Sequence, residues 1–109
     1  MHKNMEWIAI RSVYHFGVNK NGINIFEERV VVFEARDFKE AHLKAEKEAE
    51  NYSKNNGFIV HHEQLAYKQD GSTLIDGYEV WSALYEAPLS LYQFYEEHYD
   101  KYLYHAENA

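Results

Sequence analysis

Apolar and polar residues alternate loosely over residues 7–16, with Ile8, Ile10, Tyr14 and Phe16 on one side and Trp7, Ala9, Arg11 and Val13 on the other. That period of two predicts a strand with at least one apolar face. Gly17-Val-Asn-Lys-Asn-Gly22 has the glycine and asparagine content of a turn. A second strand is predicted over residues 23–34, where Val30, Val31, Val32 and Phe33 form a β-branched and aromatic run. With so short a connection, the two should form an antiparallel hairpin.

At Asp37 the period changes. An aspartate at this point can cap the free amides of a helix, and Glu40 follows at capping-box spacing. Phe38, Ala41, His42, Ala45, Ala49 and Tyr52 then recur on one helical face, and Asn55-Asn56-Gly57 supplies residues that accept a left-handed C-terminal turn. Residues 58–67 predict a third strand, Asp70-Gly71 and Asp76-Gly77 two turns, and residues 78–85 a fourth strand. Pro88 stops the ladder and suits the first turn of a helix over residues 89–105. On that helix Leu91, Phe94, Tyr95, His98, Tyr99, Tyr102 and His105 share a wide face, opposite Gln93, Glu96, Glu97 and Asp100. The expected architecture is a single α+β domain over residues 1–109, ordered β-β-α-β-β-α. It has a mainly antiparallel four-stranded sheet, a helix packed on it and a C-terminal aromatic helix.

A chain of 109 residues supports one core and not two. The absence of cysteine excludes a disulfide framework, a cysteine-ligated zinc site and a thiol nucleophile. Residues 1–7 lack the apolar run of a secretion signal and no stretch approaches a membrane span, so a soluble cytoplasmic protein with no membrane association is expected.

Charge adds more. The net charge is −7, and six of those units lie from Asp76 onward, where seven acids face Lys101 alone. The same final third holds seven of the ten tyrosines. Phosphate binding needs clustered Lys and Arg, so nucleic acid is not expected as a partner. A basic protein surface would suit this segment. The plainer reading is a solvated acidic face that aids solubility.

The run Glu27-Glu-Arg-Val-Val-Val-Phe-Glu-Ala-Arg-Asp-Phe-Lys-Glu-Ala41, with Gly77-Tyr-Glu-Val-Trp-Ser82, resembles the bacterial domain-of-unknown-function 4288 family. The shared features are an early Trp-containing strand, a strand ending in an apolar-acidic-Ala run, an alanine-bearing helix and a late Gly-x-Glu-Val strand. The resemblance covers about residues 7–84 and leaves out the tyrosine-rich tail. It implies an α+β fold and carries no catalytic residues.

Candidate chemistry is sparse. His61 and His62 are neighbours in a predicted strand and should point to opposite faces, while His98 and His105 lie two helical turns apart. A site joining His98, Glu63 and His61 or His62 would be needed to hold a metal. The adjacent pairs Glu27-Glu28 and Glu96-Glu97 do not converge in regular structure, and no serine sits in a nucleophile elbow. No catalytic residue, metal or cofactor is assigned.

Tyrosine, with an apolar body, a polar tip and few rotors, makes good contact surface. Phe94, Tyr95, Tyr99 and Tyr102 would ordinarily dock on the sheet, but the aromatic face is wider than a small sheet covers. The expected function is therefore a non-catalytic binding protein, most concretely an immunity or antitoxin-type inhibitor of a basic toxin domain. Its contact residues would be Tyr78, Glu79, Tyr92, Glu96, Glu97, Tyr99, Asp100 and Tyr104. Two alternatives stand beside it. One is a small-molecule-binding or enzymatic domain with a pocket of His and Tyr. The other is a self-associating module in which an edge strand or the aromatic helix makes a homodimer.

Overall fold

Strand β1, Glu6–Val18, is the axis of the computed structural model, which describes residues 5–69, 76–77 and 79–104. Strand β2, Asn24–Ala35, runs antiparallel along one side of it, from Glu6 opposite Ala35 to Val18 opposite Asn24. On the other side β3, Ile59–Val60, pairs with Tyr14 and His15, and β4, Leu65–Lys68, pairs with residues 8–11. Helix α1, Phe38–Asn56, separates β2 from β3 in sequence. The short helix α2, Leu91–Tyr95, runs into a π-helical turn, Glu96–Asp100. The fold is α+β, with a four-stranded antiparallel sheet and the predicted order of strands and helices.

The hairpin turn is tighter than the pattern suggested. The Asn19 side-chain oxygen accepts the Asn21 and Ile23 N–H groups at 2.9 and 3.0 Å, and Gly22 takes a φ of 78°. Gly17 belongs to β1, where the register shifts between His15 and Gly17 and leaves Phe16 as a bulge residue. The Phe16 ring stacks on Phe58 at 4.7 Å.

Two strand predictions need correction. The predicted third strand is interrupted at residues 61–64, because its register against β1 slips by two residues between β3 and β4. The chain loops out there and then rejoins the same side of β1. The predicted fourth strand is not formed, since residues 79–85 enter no ladder. That segment is held by side chains instead: Gln69 Nε2 donates to the Val80 carbonyl at 2.6 Å and the Tyr67 hydroxyl donates to Glu79. The turn predicted at Asp70-Gly71 lies outside the described residues, as do Tyr78 and His105.

The core lies between the sheet and α1. Ile8, Ile10, Ser12 and Tyr14 face the helix from β1, opposite Phe33, Val31, Arg29 and Glu27 of β2. Ala41, Ala45, Ala49 and Ser53 are the buried residues of α1. Small side chains along this stripe let the helix axis come close to the sheet, as the alanine spacing predicted. Phe38, assigned to the same face, is 47% exposed at the helix start.

Both ends of α1 are closed. Asp37 accepts the Glu40 N–H at 2.8 Å, while the Glu40 carboxylate takes the Arg36 side chain at 2.6 Å. Gly57 ends the helix at a φ of 73°.

A polar pin ties the middle of the helix to β2. Arg29 donates twice to the Glu48 carboxylate, at 2.6 and 2.9 Å, and its guanidinium lies 3.8 Å over the Tyr52 ring. The Tyr52 hydroxyl donates to Glu27 at 2.7 Å, and the ring meets Tyr14 edge-on at 5.0 Å. The bond to Glu27 raises the Tyr52 pKa above the ordinary phenol value, since it needs the proton in place.

Two outcomes follow from this packing. Ala45→Leu should overpack the buried stripe of α1 and lower stability by about 1–3 kcal/mol in denaturant titrations. The Tyr52 contribution should be complete below the unfolded phenol pKa and fade as pH rises through the higher folded value. Stability measured against alkaline pH should therefore fall more shallowly in Tyr52→Phe than in the wild type.

Candidate functional site

The C-terminal arm begins where Ser90 caps α2. Its hydroxyl accepts the Gln93 N–H at 3.2 Å, and the Gln93 side chain accepts the Ser90 N–H at 3.0 Å, a complete capping box. The predicted α-helix over 89–105 lasts only to Tyr95. The Lys101 N–H then bonds the Glu96 carbonyl at 2.8 Å, five residues back, which widens the turn. Side chains beyond Glu96 are turned back by roughly 20° per residue relative to an α-helix.

That rotation sorts the side chains. Phe94 and His98 stack at 5.1 Å and 11°, and Tyr85 touches both, tying the arm to its own preceding segment. Tyr95 and Tyr99 meet at 5.2 Å. The sequence set Glu96 and Asp100 on the face opposite the rings. Here Leu91, Tyr92, Tyr95, Glu96 and Asp100 line one shallow concavity, so phenols and carboxylates share a surface.

No residue of α2 or of the π turn is buried. Tyr92 and Tyr102 are 86% and 80% exposed, and Tyr95 and Tyr99 about half. The expectation that Phe94, Tyr95, Tyr99 and Tyr102 dock on the sheet is overturned: Phe94, Tyr95 and Tyr99 lie among one another, His98 and Tyr85, and the exposed Tyr102 ring has the Lys101 ammonium 5.5 Å from its centre. The molecule is correspondingly elongated, 57 × 38 × 26 Å. Its radius of gyration is 16.7 Å, where a compact chain of this length would have about 13 Å.

Of the residues proposed for partner contact, Tyr92, Glu96 and Asp100 come together in the concavity. Tyr99 adjoins it through Tyr95. Glu97 pairs with Lys101 at 3.5 Å, and its charge holds the lysine pKa above the ordinary value. Tyr104 is half-exposed beyond the π turn. Glu79 is engaged with Tyr67 at the sheet, away from this cluster, and Tyr78 lies outside the described residues. Leu91 and Tyr95 join the concavity although the helical pattern assigned them to a packed face.

The histidines lie elsewhere. His61 and His62 fall in the break between β3 and β4, where their exposed rings stack at 4.6 Å rather than pointing to opposite faces. The Glu63 N–H donates to His61 Nδ1 at 3.1 Å. His98 is held in the Tyr85–Phe94 cluster. Among the described residues no three His, Asp or Glu side chains are placed to hold a metal, and no helix is long and apolar enough to cross a membrane.

Because these rings are not packed, the double variant Tyr92→Ala, Tyr102→Ala should change folding stability by less than about 0.5 kcal/mol. Equilibrium unfolding in urea measures this, and a loss several times larger would show that the rings carry the fold.

Comparison with known proteins adds no family to this geometry: no protein-family model matches the chain, and neither curated proteins nor solved structures yield a match.

Proposed function

We propose that the protein is a non-catalytic binding protein whose C-terminal arm covers a basic protein partner. The observation that carries this is a helical arm with no buried residue, on which exposed Tyr92 and Tyr95 share a concavity with Glu96 and Asp100. Exposed phenols at such density are costly to keep in water without a use, and large exposed aromatic patches mark interaction sites. The rings supply contact area at low entropic cost. The carboxylates beside them steer a cationic partner into place and speed association.

A cationic toxin domain, such as a nuclease, has the matching charge. The most concrete form of the proposal is accordingly an immunity or antitoxin-type inhibitor acting in the cytoplasm. Its contact set is Tyr92, Tyr95, Tyr99, Glu96 and Asp100, with Glu97 and Tyr104 at the margin.

Surface-captured protein titrated with cationic nuclease domains, at rising salt, tests this. The association rate should fall steeply with salt and again in Glu96→Lys, Asp100→Lys. Tyr92→Ala, Tyr95→Ala should speed dissociation by about tenfold or more. An association rate indifferent to salt and to charge reversal would overturn the proposal.

A further inference from the structure

The free side of β2 is a second surface, independent of the arm. The direction of its backbone groups follows from bonds on the far side of β1. The Val13 carbonyl accepts from His61 N–H at 2.8 Å and the Trp7 carbonyl from Gln69 N–H at 2.9 Å. Odd-numbered residues of β1 between 7 and 13 therefore address β3 and β4. Successive residues of a strand turn their N–H and C=O to opposite sides. Ile8, Ile10, Ser12 and Tyr14 thus address β2, where Phe33, Val31, Arg29 and Glu27 answer them. The intervening residues, Phe26, Glu28, Val30, Val32 and Glu34, turn their backbone groups away from the sheet. An independent sign is the Glu34 carbonyl, which accepts from Lys44 Nζ at 2.6 Å.

Among the described residues no strand lies along this side, and the outward groups of Phe26, Glu28, Val30 and Val32 have no partner. Proteins usually blunt such an edge with lysine, proline, a bulge or a short strand. β2 is twelve residues long, and its centre, Val30-Val-Val32, has none of these devices. The side chains of Phe26, Val30 and Val32 are also exposed, on the sheet face opposite α1. What such an edge accepts is another extended strand, bonded through its own backbone.

We infer that β2 pairs antiparallel with β2 of a second copy about a two-fold axis at Val30, joining two sheets into one of eight strands. Charge selects the register. With the axis at Val30, Val30 meets Val30, Glu28 meets the second copy's Val32 and Phe26 meets its Glu34, so no like charges face each other. An axis at Arg29 sets arginine against arginine, and one at Val31 sets Glu28 against Glu34, both unfavourable. An axis at Val32 avoids such pairs but shortens the paired stretch from residues 25–35 to residues 29–35. An axis between two residues would face outward groups with inward ones. At Val30 the central valines, Val30 and Val32 of each copy, also come together as one apolar patch.

The full chain tests this. Light scattering behind gel filtration should give twice the 13.0 kDa chain mass for the wild type and the single-chain mass for Val30→Lys and Val30→Pro. The proline removes only an outward N–H, so the β1–β2 hairpin keeps its bonds, and circular dichroism checks the fold. The chain has no cysteine, so Val30→Cys offers one thiol per copy. A hydrogen-bonded pair places its Cα atoms about 5.5 Å apart, within disulfide reach. Val30→Cys should cross-link on mild oxidation with its circular dichroism unchanged, and Val18→Cys should not. If the lysine and proline variants unfold, this cross-link decides. A monomeric wild type, a dimer insensitive to position 30, folded Val30→Cys that stays single, or an edge that takes only another protein's strand would each overturn the inference. The arm variants above touch none of these residues, so either proposal can fail without the other.

Discussion

Because β1 directs its backbone hydrogen bonds to both sides, every strand of the sheet takes its position from this one segment. Its even-numbered residues between 8 and 14 bind β2 and its odd-numbered ones between 7 and 13 bind β3 and β4. The same alternation sends Ile8, Ile10 and Tyr14 toward α1. A one-residue slip of β1 would turn that set away from α1 and put Trp7, Ala9, Arg11 and Val13 in its place, a set with a charged residue at its centre. The bulge at Phe16 falls beyond this critical stretch, where it changes the end of the hairpin without disturbing the core.

The core that results is small. Its large fully buried side chains are Ile8, Ile10 and Tyr14, and the helix contributes alanines and Ser53. A close-lying helix compensates, since alanine brings backbone and sheet into direct contact with little side-chain entropy to lose. The Arg29–Glu48 and Tyr52–Glu27 contacts then set the position of α1 along β2. Ion pairs as exposed as this one, about a third, add little to stability, but one guanidinium nitrogen held against both carboxylate oxygens restricts where the helix can sit. Its role here is register more than strength.

Most of the aromatic surface is outside this core. The arm is rich in rings and acids, yet its rings pack on Tyr85 and on each other. The π turn matters because it moves Asp100 toward Tyr92 and Glu96. A regular α-helix would have spread these three residues more widely around its axis. The other uncovered surface, the edge and open face of β2, has backbone groups and aliphatic side chains in place of phenols and carboxylates. The two surfaces ask for different partners, and the fold keeps them on separate elements.

Much of the fold was legible in the sequence, for local reasons. Asp37 and Glu40 mark a helix start and Gly57 its end. The alanine spacing marks its buried face, and the valine run marks β2, because capping, left-handed backbone and side-chain period are properties of neighbouring residues. The break at residues 61–64 was not legible, since it depends on how many residues β1 can pair with at that point. Nor was the failure of residues 79–85 to pair, which turned on the Gln69 and Tyr67 side chains holding that segment another way.

The candidate site divides in the same manner. Sequence alone determined its composition: which residues are phenolic, which acidic, and that they crowd the final third of the chain. Only tertiary structure decided that the rings stay outside; helical spacing already sets Glu96 beside Tyr92, and the backbone of the π turn decided how near to them Asp100 stands. Exposure depends on what else in the molecule is near enough to cover a face. A face direction after Glu96 depends on a single hydrogen bond reaching back five residues instead of four.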